Sequence, residues 1–363
     1  MLIPHLGGGG AEQVIALLAK CLSSKKYEIH VGLITGTVSS PESLPPEVLV
    51  HALGATRVRT SFFRLLKLVR TTNPDVILSG IAHLNFLVLL LRPFYPSGTR
   101  VLVRQNGTVS SALAFGNLPW YTRLLYRLLY PHAHCVICQT RAMAEDMMRE
   151  IGISRDRLAV LPNPVDVAAI HRSMAQESNA WKGPGPHLLA VGRLSREKGF
   201  DLLLQALDMI RQQFPDADLI IAGSGPEEAN LKTQCGMLGI ETNVLFVGQA
   251  PHPYAYFHGA DVFVLSSRQE GLPNSLLEAA SAGLPIVALP ASAGIVDLLQ
   301  EQPGTWLAPE TSARALAASL LSALQTVHPG ERFAHSFVEQ FAMDRAIHAY
   351  EDLIDATVKE GRP

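Results

Sequence analysis

Short apolar segments alternate with amphipathic ones along almost the whole chain, and this alternation limits the fold more than any other feature. In the first half, segments typical of β-strands cover residues 29–34, 48–51, 76–79, 101–104 and 135–139. Helical segments separate most of them, at about 60–71, 83–92 and 120–130. Strands that alternate with helices are typical of a parallel sheet with helices on both faces. The sequence therefore predicts an α/β fold with a doubly wound sheet in this half.

The same alternation begins again after residue 166. Strand-like segments occupy residues 187–191, 219–222, 244–247, 262–266 and 286–289, with a helix predicted over 200–214. The segment 171–186 is polar and rich in proline and glycine near its end, as expected of a linker. We therefore expect two domains, residues 1–165 and 166–343, each built on its own doubly wound sheet.

The composition of the chain is sufficient for two hydrophobic cores. The chain has 363 residues, of which 48% are hydrophobic, and that is enough for two domains. No apolar run reaches the roughly 18 residues of a membrane-spanning helix, and no signal peptide is visible. Four cysteines are too few for a disulfide scaffold and fit a reducing cytosol.

Charge is divided unevenly between the two halves. Residues 1–172 hold 18 basic and 10 acidic side chains, whereas residues 173–363 hold 12 and 22. This asymmetry indicates two domains with different partners.

The chain opens with a predicted strand over 1–6, the glycine run Gly7 to Gly10, and a helix from about 11 to 22. A glycine turn between a strand and a helix presents bare amides to a phosphate. No acidic residue closes a second strand about twenty positions later, so the pattern is not a dinucleotide fingerprint and disfavours a dehydrogenase. The alternative is a flexible N-terminal turn.

A second candidate lies in the loop 192–199, which holds Arg193 and Lys198 after a predicted strand. Loops at the carboxyl ends of parallel strands bind ligands in open α/β sheets. An arginine fork and a lysine point charge suit a diphosphate. A solvated charged loop is the alternative.

The third candidate is the stretch from Arg268 to Ala280, which places Glu270 and Glu278 on either side of a helix start at Pro273, Asn274 and Ser275. First-turn amides and the helix dipole make an anion site. Both carboxylates are placed to touch a ligand lying along this helix start. A capped surface helix with two solvated glutamates is the alternative.

Two further patterns resemble metal sites but do not predict one. The first comprises His132, His134, Cys135 and Cys138; the two cysteines are an odd number of positions apart on a strand and face opposite sides. The second comprises Asp216 and Asp218, which follow a proline, and this pattern is typical of a surface turn. We therefore expect no metal.

Taken together and in this order, several motifs resemble the retaining glycosyltransferases of family 4, which have the GT-B fold. They are Gly7–Gly10 with Ala11 and Glu12, the segment 161–166 (LPNPVD), Gly192-Arg193 with Lys198-Gly199, the segment 222–226 (AGSGP), and Glu270 with Glu278. The resemblance implies two Rossmann-like domains facing a cleft. It also implies that a final helix at about 344–358, within residues 344–363, crosses back to the first domain.

The resemblance implies roles for these residues. Arg193 and Lys198 would bind the donor diphosphate, Glu270 would contact the transferred sugar, and Glu278 would bind the ribose hydroxyls. The glycine loop would close on the donor from the first domain. The remaining donor-binding positions are expected at Gly8, Gly9, Gly10, Gly192, Gly223, Gly271, Leu272, Pro273, Asn274 and Ser275.

Two features depart from the family pattern. Only three residues precede Pro4, where many members have a longer first strand, so either the start is misassigned or the strand is clipped. Many members also carry a histidine after the strand at 101–104, where this chain has Gln105 and Asn106. Those two residues are therefore candidates for acceptor-side hydrogen bonds. His83 is a candidate replacement, although a packed histidine in an apolar helix is the commoner case.

The resemblance implies a hexosyltransferase that moves a sugar from a nucleoside diphosphate, with retention and without a metal cofactor. The family's tendency points to a UDP-linked, N-acetylated donor and a polyprenyl-diphosphate-linked saccharide acceptor in surface polysaccharide assembly. The alternatives are a nucleotide-sugar epimerase on the same fold and a non-catalytic nucleotide-binding protein. No nucleic-acid partner is expected.

Basic and apolar side chains mix in the helices predicted at 60–71 and 120–130, including Arg64, Lys67 and Arg123. Such helices bind the anionic surface of a membrane. We therefore expect a cytoplasmic protein that is peripheral on the inner face of the cytoplasmic membrane. The alternative is that these apolar residues face the sheet and the cations face water.

Overall fold

The structure, a computed structural model, describes residues 1–5, 10–22, 26–35, 44–114, 119, 121–175, 181, 183–249 and 253–359. The chain forms two compact units. The first runs from Met1 to Pro164 and includes the chain from Met343 onward, and the second runs from Val165 to Ala342. Each unit is built on one parallel sheet, so the predicted α/β class with two doubly wound sheets is confirmed.

The sheet of the first unit has the strand order β3-β2-β1-β4-β5-β6-β7, and all neighbouring strands are parallel. Its strands are β1 Leu2–Ile3, β2 His30–Leu33, β3 Leu49–Ala52, β4 Val76–Ser79, β5 Arg100–Gln105, β6 Cys135–Cys138 and β7 Leu158–Val160. These segments are short and apolar because both faces of a parallel sheet are covered.

Helices cover both faces of this sheet. Leu18 of α1 and Tyr350 of α13 pack in the core on one face, and Leu65 of α2 and Val88 of α3 pack in the core on the other. The helices are α1 Gly10–Cys21, α2 Phe62–Thr72, α3 Ala82–Leu91, α4 Val109–Ala114, α5 Thr122–Leu129, α6 Arg141–Ile151 and α13 Met343–Lys359. Along the described stretches of chain, no helix combines the length and apolarity needed to cross a membrane.

Strand β6 confirms one prediction about the cysteines. Cys135 packs in the core on the α1 side of the sheet, and Cys138 packs in the core on the α3 side. The two thiols therefore lie on opposite faces, as the alternation of side chains along a strand requires.

The sheet of the second unit has the order β10-β9-β8-β11-β12-β13 and is also parallel throughout. Its strands are β8 His187–Val191, β9 Asp218–Ala222, β10 Val244–Gly248, β11 Val262–Leu265, β12 Ile286–Ala288 and β13 Thr305–Leu307. Its helices are α7 Val167–Met174, α8 Phe200–Ile210, α9 Glu228–Leu238, α10 Asn274–Ser281, α11 Ala293–Leu299 and α12 Ala313–Thr326.

Each sheet reverses its strand order at one point, between β1 and β4 in the first unit and between β8 and β11 in the second. Loops that leave neighbouring strands at such a point diverge to opposite faces and open a crevice where ligands bind. In the second unit these are the loops that follow Val191 and Leu265, which carry Lys198 and Glu270.

Several predicted element limits differ from the structure by one or more residues. The first strand covers only Leu2–Ile3 instead of residues 1–6, because Pro4 has no amide hydrogen for the ladder. Helix α8 ends at Ile210 rather than 214, ahead of the turn before Pro215. Helix α5 begins at Thr122, and Trp120 lies outside the described residues.

Candidate active site

The loops after β8 and β9 each contain a position that only glycine permits. Gly199 has a left-handed φ of 63°, and a Cβ there would lie 2.1 Å from the carbonyl oxygen of Ser266. A Cβ on Gly223, after β9, would lie 1.8 Å from the carbonyl oxygen of Gly192. These backbone contacts hold the loops after β8, β9 and β11 against one another, so their side chains have fixed starting points.

Lys198 and Glu270 meet at the switch point. The Lys198 ammonium lies in the short 3₁₀ turn Arg196–Lys198 and donates to Oε1 of Glu270. The buried Ser267 hydroxyl donates to the same oxygen over 2.7 Å. Within the described structure no partner is seen for Oε2 of Glu270. The carboxylate is only 11% exposed, so it is not the solvated glutamate of the alternative interpretation.

A bidentate ion pair joins the Glu270 loop to the start of α8, which directly follows the Lys198 loop. The guanidinium of Arg268 donates to both carboxylate oxygens of Asp201, each over 2.6 Å. The backbone amide of Arg268 donates to the carbonyl of Glu197 over 2.8 Å. Burial opposes ionisation of Asp201, but the hydrogen bonds and charge of Arg268 hold the pKa of this carboxyl below its usual value. The pair fixes the distance between the Lys198 loop and the Glu270 loop.

Arg193 differs from Lys198 in its surroundings. Its side chain is exposed, and the described residues offer it neither a hydrogen bond nor an ion pair. An exposed guanidinium with no internal partner keeps all its donors for a ligand.

The helix that follows Glu270 begins one residue later than expected. Pro273 precedes α10 in an extended conformation, and Asn274 is the first helical residue. The N-cap residue Pro273 gives this helix start no side-chain hydrogen bond, and its carbonyl accepts the amide of Leu276 over 3.2 Å. Gly271, Leu272 and Pro273 are buried, so they shape the backbone at the site.

Glu278, on the second turn of α10, has an aromatic partner. The hydroxyl of Tyr254, from the 3₁₀ turn Pro253–Tyr256, donates to Oε1 of Glu278 over 3.2 Å. Burial raises the pKa of the Glu278 carboxyl to about 7, and the Tyr254 hydrogen bond acts in the opposite direction. Burial also raises the pKa of Tyr254, so the phenol remains the donor.

In the first unit, Gln105 and Asn106 lie at the carboxyl end of β5. The buried Gln105 amide donates to Gly107 O over 2.9 Å, and its oxygen accepts from Tyr130 over 3.0 Å. Asn106 is half-buried, donates to Gly80 O and accepts from Gln139 over 3.3 Å. Gln105 therefore faces the α3 side of the core, and Asn106 is the more accessible amide. His83 is exposed at the start of α3.

The glycine run is only partly described. Gly7, Gly8 and Gly9 lie outside the described residues, and Gly10 is the first residue of α1.

The two metal-like patterns are occupied by other contacts. Asp218 pairs with His187 over 2.6 Å at the start of β9, whereas Asp216 is exposed in the turn before it. Nδ1 of His134 accepts the amide of Val101. In the part of the chain that the structure describes, no group of three or more histidine, cysteine, aspartate or glutamate side chains could hold a metal. The expectation of metal-free chemistry stays a prediction.

Sequence reasoning missed Tyr254, Ser267 and the Asp201–Arg268 pair. The tyrosine lies 24 positions from its partner, and no local spacing connects them. Ser267 precedes Glu270 by three residues, which is a local signal that was available.

Two parallel sheets, each with a crevice at its switch point, define a protein of two doubly wound α/β units, and comparison with known proteins gives its family. Residues 8–169 match the family model described as Glycosyltransferase Family 4, and residues 172–336 match the one described as Glycosyl transferases group 1. The chain is a family 4-type glycosyltransferase, of the hexosyltransferase class.

Solved structures show the fold. The Anabaena protein Alr3699/HepE, solved with UDP and glucose, superposes with a TM-score of 0.75 at 17% identity over 98% of both chains. The predicted GT-B fold is confirmed.

Two relatives are informative by sequence. The chain is 28% identical, over 82% of each chain, to the N-acetylgalactosamine-N,N'-diacetylbacillosaminyl-diphospho-undecaprenol 4-alpha-N-acetylgalactosaminyltransferase of Campylobacter jejuni. It is also 28% identical, over 65% of each chain, to the lipopolysaccharide core biosynthesis glycosyltransferase LpsE of Rhizobium meliloti.

Proposed function

We propose that this glycosyltransferase moves a hexosyl unit from a UDP-sugar to a hydroxyl of a lipid-linked saccharide, with retention of anomeric configuration, in polysaccharide or lipopolysaccharide assembly. The observation that carries the donor side is the meeting of Lys198, Ser267 and Glu270 at the switch point of the second unit. A UDP complex of a structural neighbour and the diphospho-undecaprenol acceptor named for a relative support the choice of substrates.

The reaction needs stabilisation of a leaving diphosphate. As the bond to the sugar breaks, negative charge grows on the phosphate oxygens and the sugar gains oxocarbenium character. Arg193 and Lys198 supply two cations from one loop, where Lys198 is held by Glu270, and the start of α10 supplies amides that follow Glu270 in the chain. Groups already held in place lower the barrier because they do not reorganise during the reaction. We propose that these groups stabilise the leaving diphosphate without a metal.

Glu270 and Glu278 have separate roles in this proposal. Glu270 is held by Lys198 and Ser267 through one oxygen, and we assign its other oxygen to hydroxyls of the transferred sugar. Glu278 lies further along the helix, and its carboxylate accepts from Tyr254, so we assign it to the ribose. A double displacement would need two carboxylates flanking the anomeric carbon, and this assignment leaves one.

Part of the first unit also favours a membrane surface. From residue 48 to residue 144 the sequence carries eleven lysines and arginines and one acidic residue, Asp75. Exposed apolar side chains stand among them, including Phe63 on α2, at 81% exposure, and Leu124 and Leu128 on α5. Such a mixture binds anionic lipid through both charge and apolar burial. We propose a cytoplasmic enzyme, peripheral on the inner face of the membrane.

A panel of nucleoside diphosphates and their sugars, read by thermal shift, tests the donor assignment. A ligand at one hundred times its Kd adds about 2.7 kcal/mol of stability. We expect UDP and UDP-sugars to stabilise the chain and nucleosides to do so far less. Stabilisation by NAD alone, or by no nucleotide, would contradict the proposal.

The reaction type needs a second assay with the best donor. With a lipid-linked saccharide present, we expect sugar transfer, and NMR of the product should show an anomeric configuration equal to that of the donor. An epimerase would instead convert the donor or release nucleotide at full rate with no acceptor present, and a non-catalytic binder would do neither.

A further inference from the structure

A cluster of nitrogen donors lies at the amino ends of β5 and β6 in the first unit. We call Arg92, Arg100, Arg157 and His134 the arginine cluster. Arg100 begins β5 and Gln105 ends it, so the cluster lies about 16 Å along the strand from the acceptor-side candidates, at a rise of about 3.3 Å per residue. The cluster is therefore separate from the carboxyl edge of the sheet where Gln105 and Asn106 lie.

The tautomer of His134 follows from one backbone hydrogen bond. The amide of Val101 donates to Nδ1 of His134 over 2.8 Å, so Nδ1 carries no proton. A neutral imidazole then holds its hydrogen on Nε2. Nη2 of Arg92 lies 3.3 Å from Nε2. Two donors therefore face each other there, with no acceptor between them.

The other arginines add further donors without an acceptor. Nε of Arg100 is buried and has no hydrogen-bond partner among the described residues. Nη1 of Arg157 donates to the carbonyl of Pro131, which lies in the turn that precedes β6. The described structure shows no ion pair to any of the three arginines. The nearby acids, Asp75 and Asp156, are both exposed.

The directions of the pKa shifts in this cluster agree with an excess of positive charge. Burial first, and then the charges of Arg92 and Arg100, lower the pKa of His134 to about 4, and Arg157 adds to this effect. Burial and the charges of Arg100 and Arg157 lower the pKa of Arg92 as well. The three charged arginines thus repel one another and hold His134 neutral, and a buried donor without a partner costs free energy.

We propose that the arginine cluster binds a phosphate group, with His134 Nε2–H and the three guanidinium groups as its donors. A tetrahedral oxyanion offers several acceptors to groups that converge from different directions, and arginine forks match its geometry. A phosphate supplies the acceptor that Arg92 and His134 lack, gives Arg100 Nε a partner, and cancels the mutual repulsion. This assignment does not depend on the sugar-transfer proposal.

The phosphate has two chemical sources, a soluble phosphate compound or the headgroup of an anionic lipid. Leu90 and Phe94 stand beside Arg92 in the chain and are about half exposed, which suits a membrane interface. The shared chemistry is the phosphate, and separate arms of one experiment distinguish its sources.

The first arm titrates inorganic phosphate into the full chain at constant ionic strength, with chloride as the balancing anion. The ring signals of His134, assigned by their loss in His134→Gln, report binding. We expect a saturable shift of these signals with an increase in the pKa of His134. The exposed neighbour His132, removed in His132→Gln, serves as the matched control and should leave the phosphate affinity unchanged.

The arginines are tested in the same titration. Arg100→Gln should weaken phosphate binding about tenfold or more, as expected for loss of a charge-assisted donor. Arg141→Gln removes an exposed arginine at the start of α6 and should change the affinity less than twofold. Arg100→Gln also relieves repulsion between the arginines. Without phosphate, the melting temperature of this variant should therefore be no lower than that of the parent. An unchanged melting temperature shows that weaker phosphate binding does not come from a loss of folding.

The second arm measures flotation with vesicles of phosphatidylcholine alone or with phosphatidylglycerol. Vesicle binding that needs phosphatidylglycerol and falls about tenfold in Arg100→Gln, but not in Arg141→Gln, assigns the phosphate to a lipid. If inorganic phosphate binds saturably while Arg100→Gln leaves vesicle binding unaffected, the phosphate belongs to a soluble ligand. The proposal is overturned if Arg100→Gln binds both phosphate and vesicles as the parent does, or if the parent binds neither.

Discussion

In the proposed mechanism, Glu270 is the residue on which the sugar-transfer chemistry depends most. Replacement by glutamine keeps the shape but removes the charge that Lys198 and Ser267 hold in place. We expect Glu270→Gln to lower the transfer rate about 10²-fold or more, the effect of losing one charge-stabilising group, while UDP affinity stays within a few-fold. Steady-state kinetics and UDP titration measure both.

The matched control is Glu310→Gln, which removes an exposed carboxylate that accepts from Ser312, and it should leave both quantities unchanged. If Glu270→Gln loses UDP binding together with activity, its assignment to the transferred sugar is wrong.

Tyr254 should set the pH range over which the nucleotide binds. We proposed that Glu278 binds the ribose, and only its ionised form would accept hydrogen bonds from both ribose hydroxyls. We therefore expect affinity above the pKa of about 7 and its loss as the pH drops through that value. The Tyr254 hydroxyl stabilises the ionised form. In Tyr254→Phe the pKa of Glu278 should rise, and UDP binding should weaken already at a higher pH than in the parent.

The measurement is UDP affinity from pH 6 to pH 9 in both proteins. The ionisation of UDP itself affects both profiles equally, so the difference between them reports on Glu278. Tyr256→Phe, two residues along the same turn, is the control and should follow the parent profile. Parallel profiles in Tyr254→Phe and the parent would show that Tyr254 is merely structural.

At the scale of elements, the loop from Gly192 to Gly199 is held rigid by its neighbours. The Asp201–Arg268 pair and the close approach of Gly199 to Ser266 fix its position. We expect Arg193→Ala and Lys198→Ala each to lower turnover about 10²-fold, and to weaken UDP more than uridine, because both cations are assigned to the phosphates.

Arg196→Ala removes an exposed cation of the same loop and should change neither constant much. Equal weakening of UDP and uridine by the Lys198 variant would place Lys198 away from the phosphates.

The elements also show what the sequence could and could not predict. Strands such as β6 and β11 were predicted because apolar runs bounded by turn residues are local signals. The edge strands β7 and β13 were missed, since each has three residues and is only partly buried, leaving no clear apolar run. Lys198 and Glu270 were recognised separately, but their ion pair joins residues 72 positions apart and depends on strand order.

At the scale of the whole molecule, the proposal assigns the charge of the leaving diphosphate to side-chain cations and to no metal. We expect a chelator in excess to leave the transfer rate unchanged, because Arg193 and Lys198 are assigned the charge of the leaving diphosphate. The assay compares rates with chelator, with added magnesium and with added manganese. Complete inhibition by the chelator, reversed by either metal, would contradict the metal-free proposal.

The charge asymmetry of the chain leads to the last prediction, which concerns membrane association. The first half carries the basic excess, and α2 and α5 expose apolar side chains among those cations. Arg64 binds the carbonyl of Leu53, and Arg123 pairs with Glu150, so Lys67 is the better cation to change. We expect Phe63→Ser/Lys67→Glu to weaken binding to vesicles with phosphatidylglycerol, because it removes both apolar area and attractive charge.

Flotation at low and high salt measures this, and parent binding should fall as salt rises. The matched variant Met237→Ser/Lys232→Glu changes an exposed apolar residue and a cation on α9 of the second unit, and should bind as the parent does. A parent that stays unbound with anionic vesicles at low salt, and glycosylates a water-soluble acceptor at full rate, would contradict membrane association while leaving the sugar-transfer proposal intact.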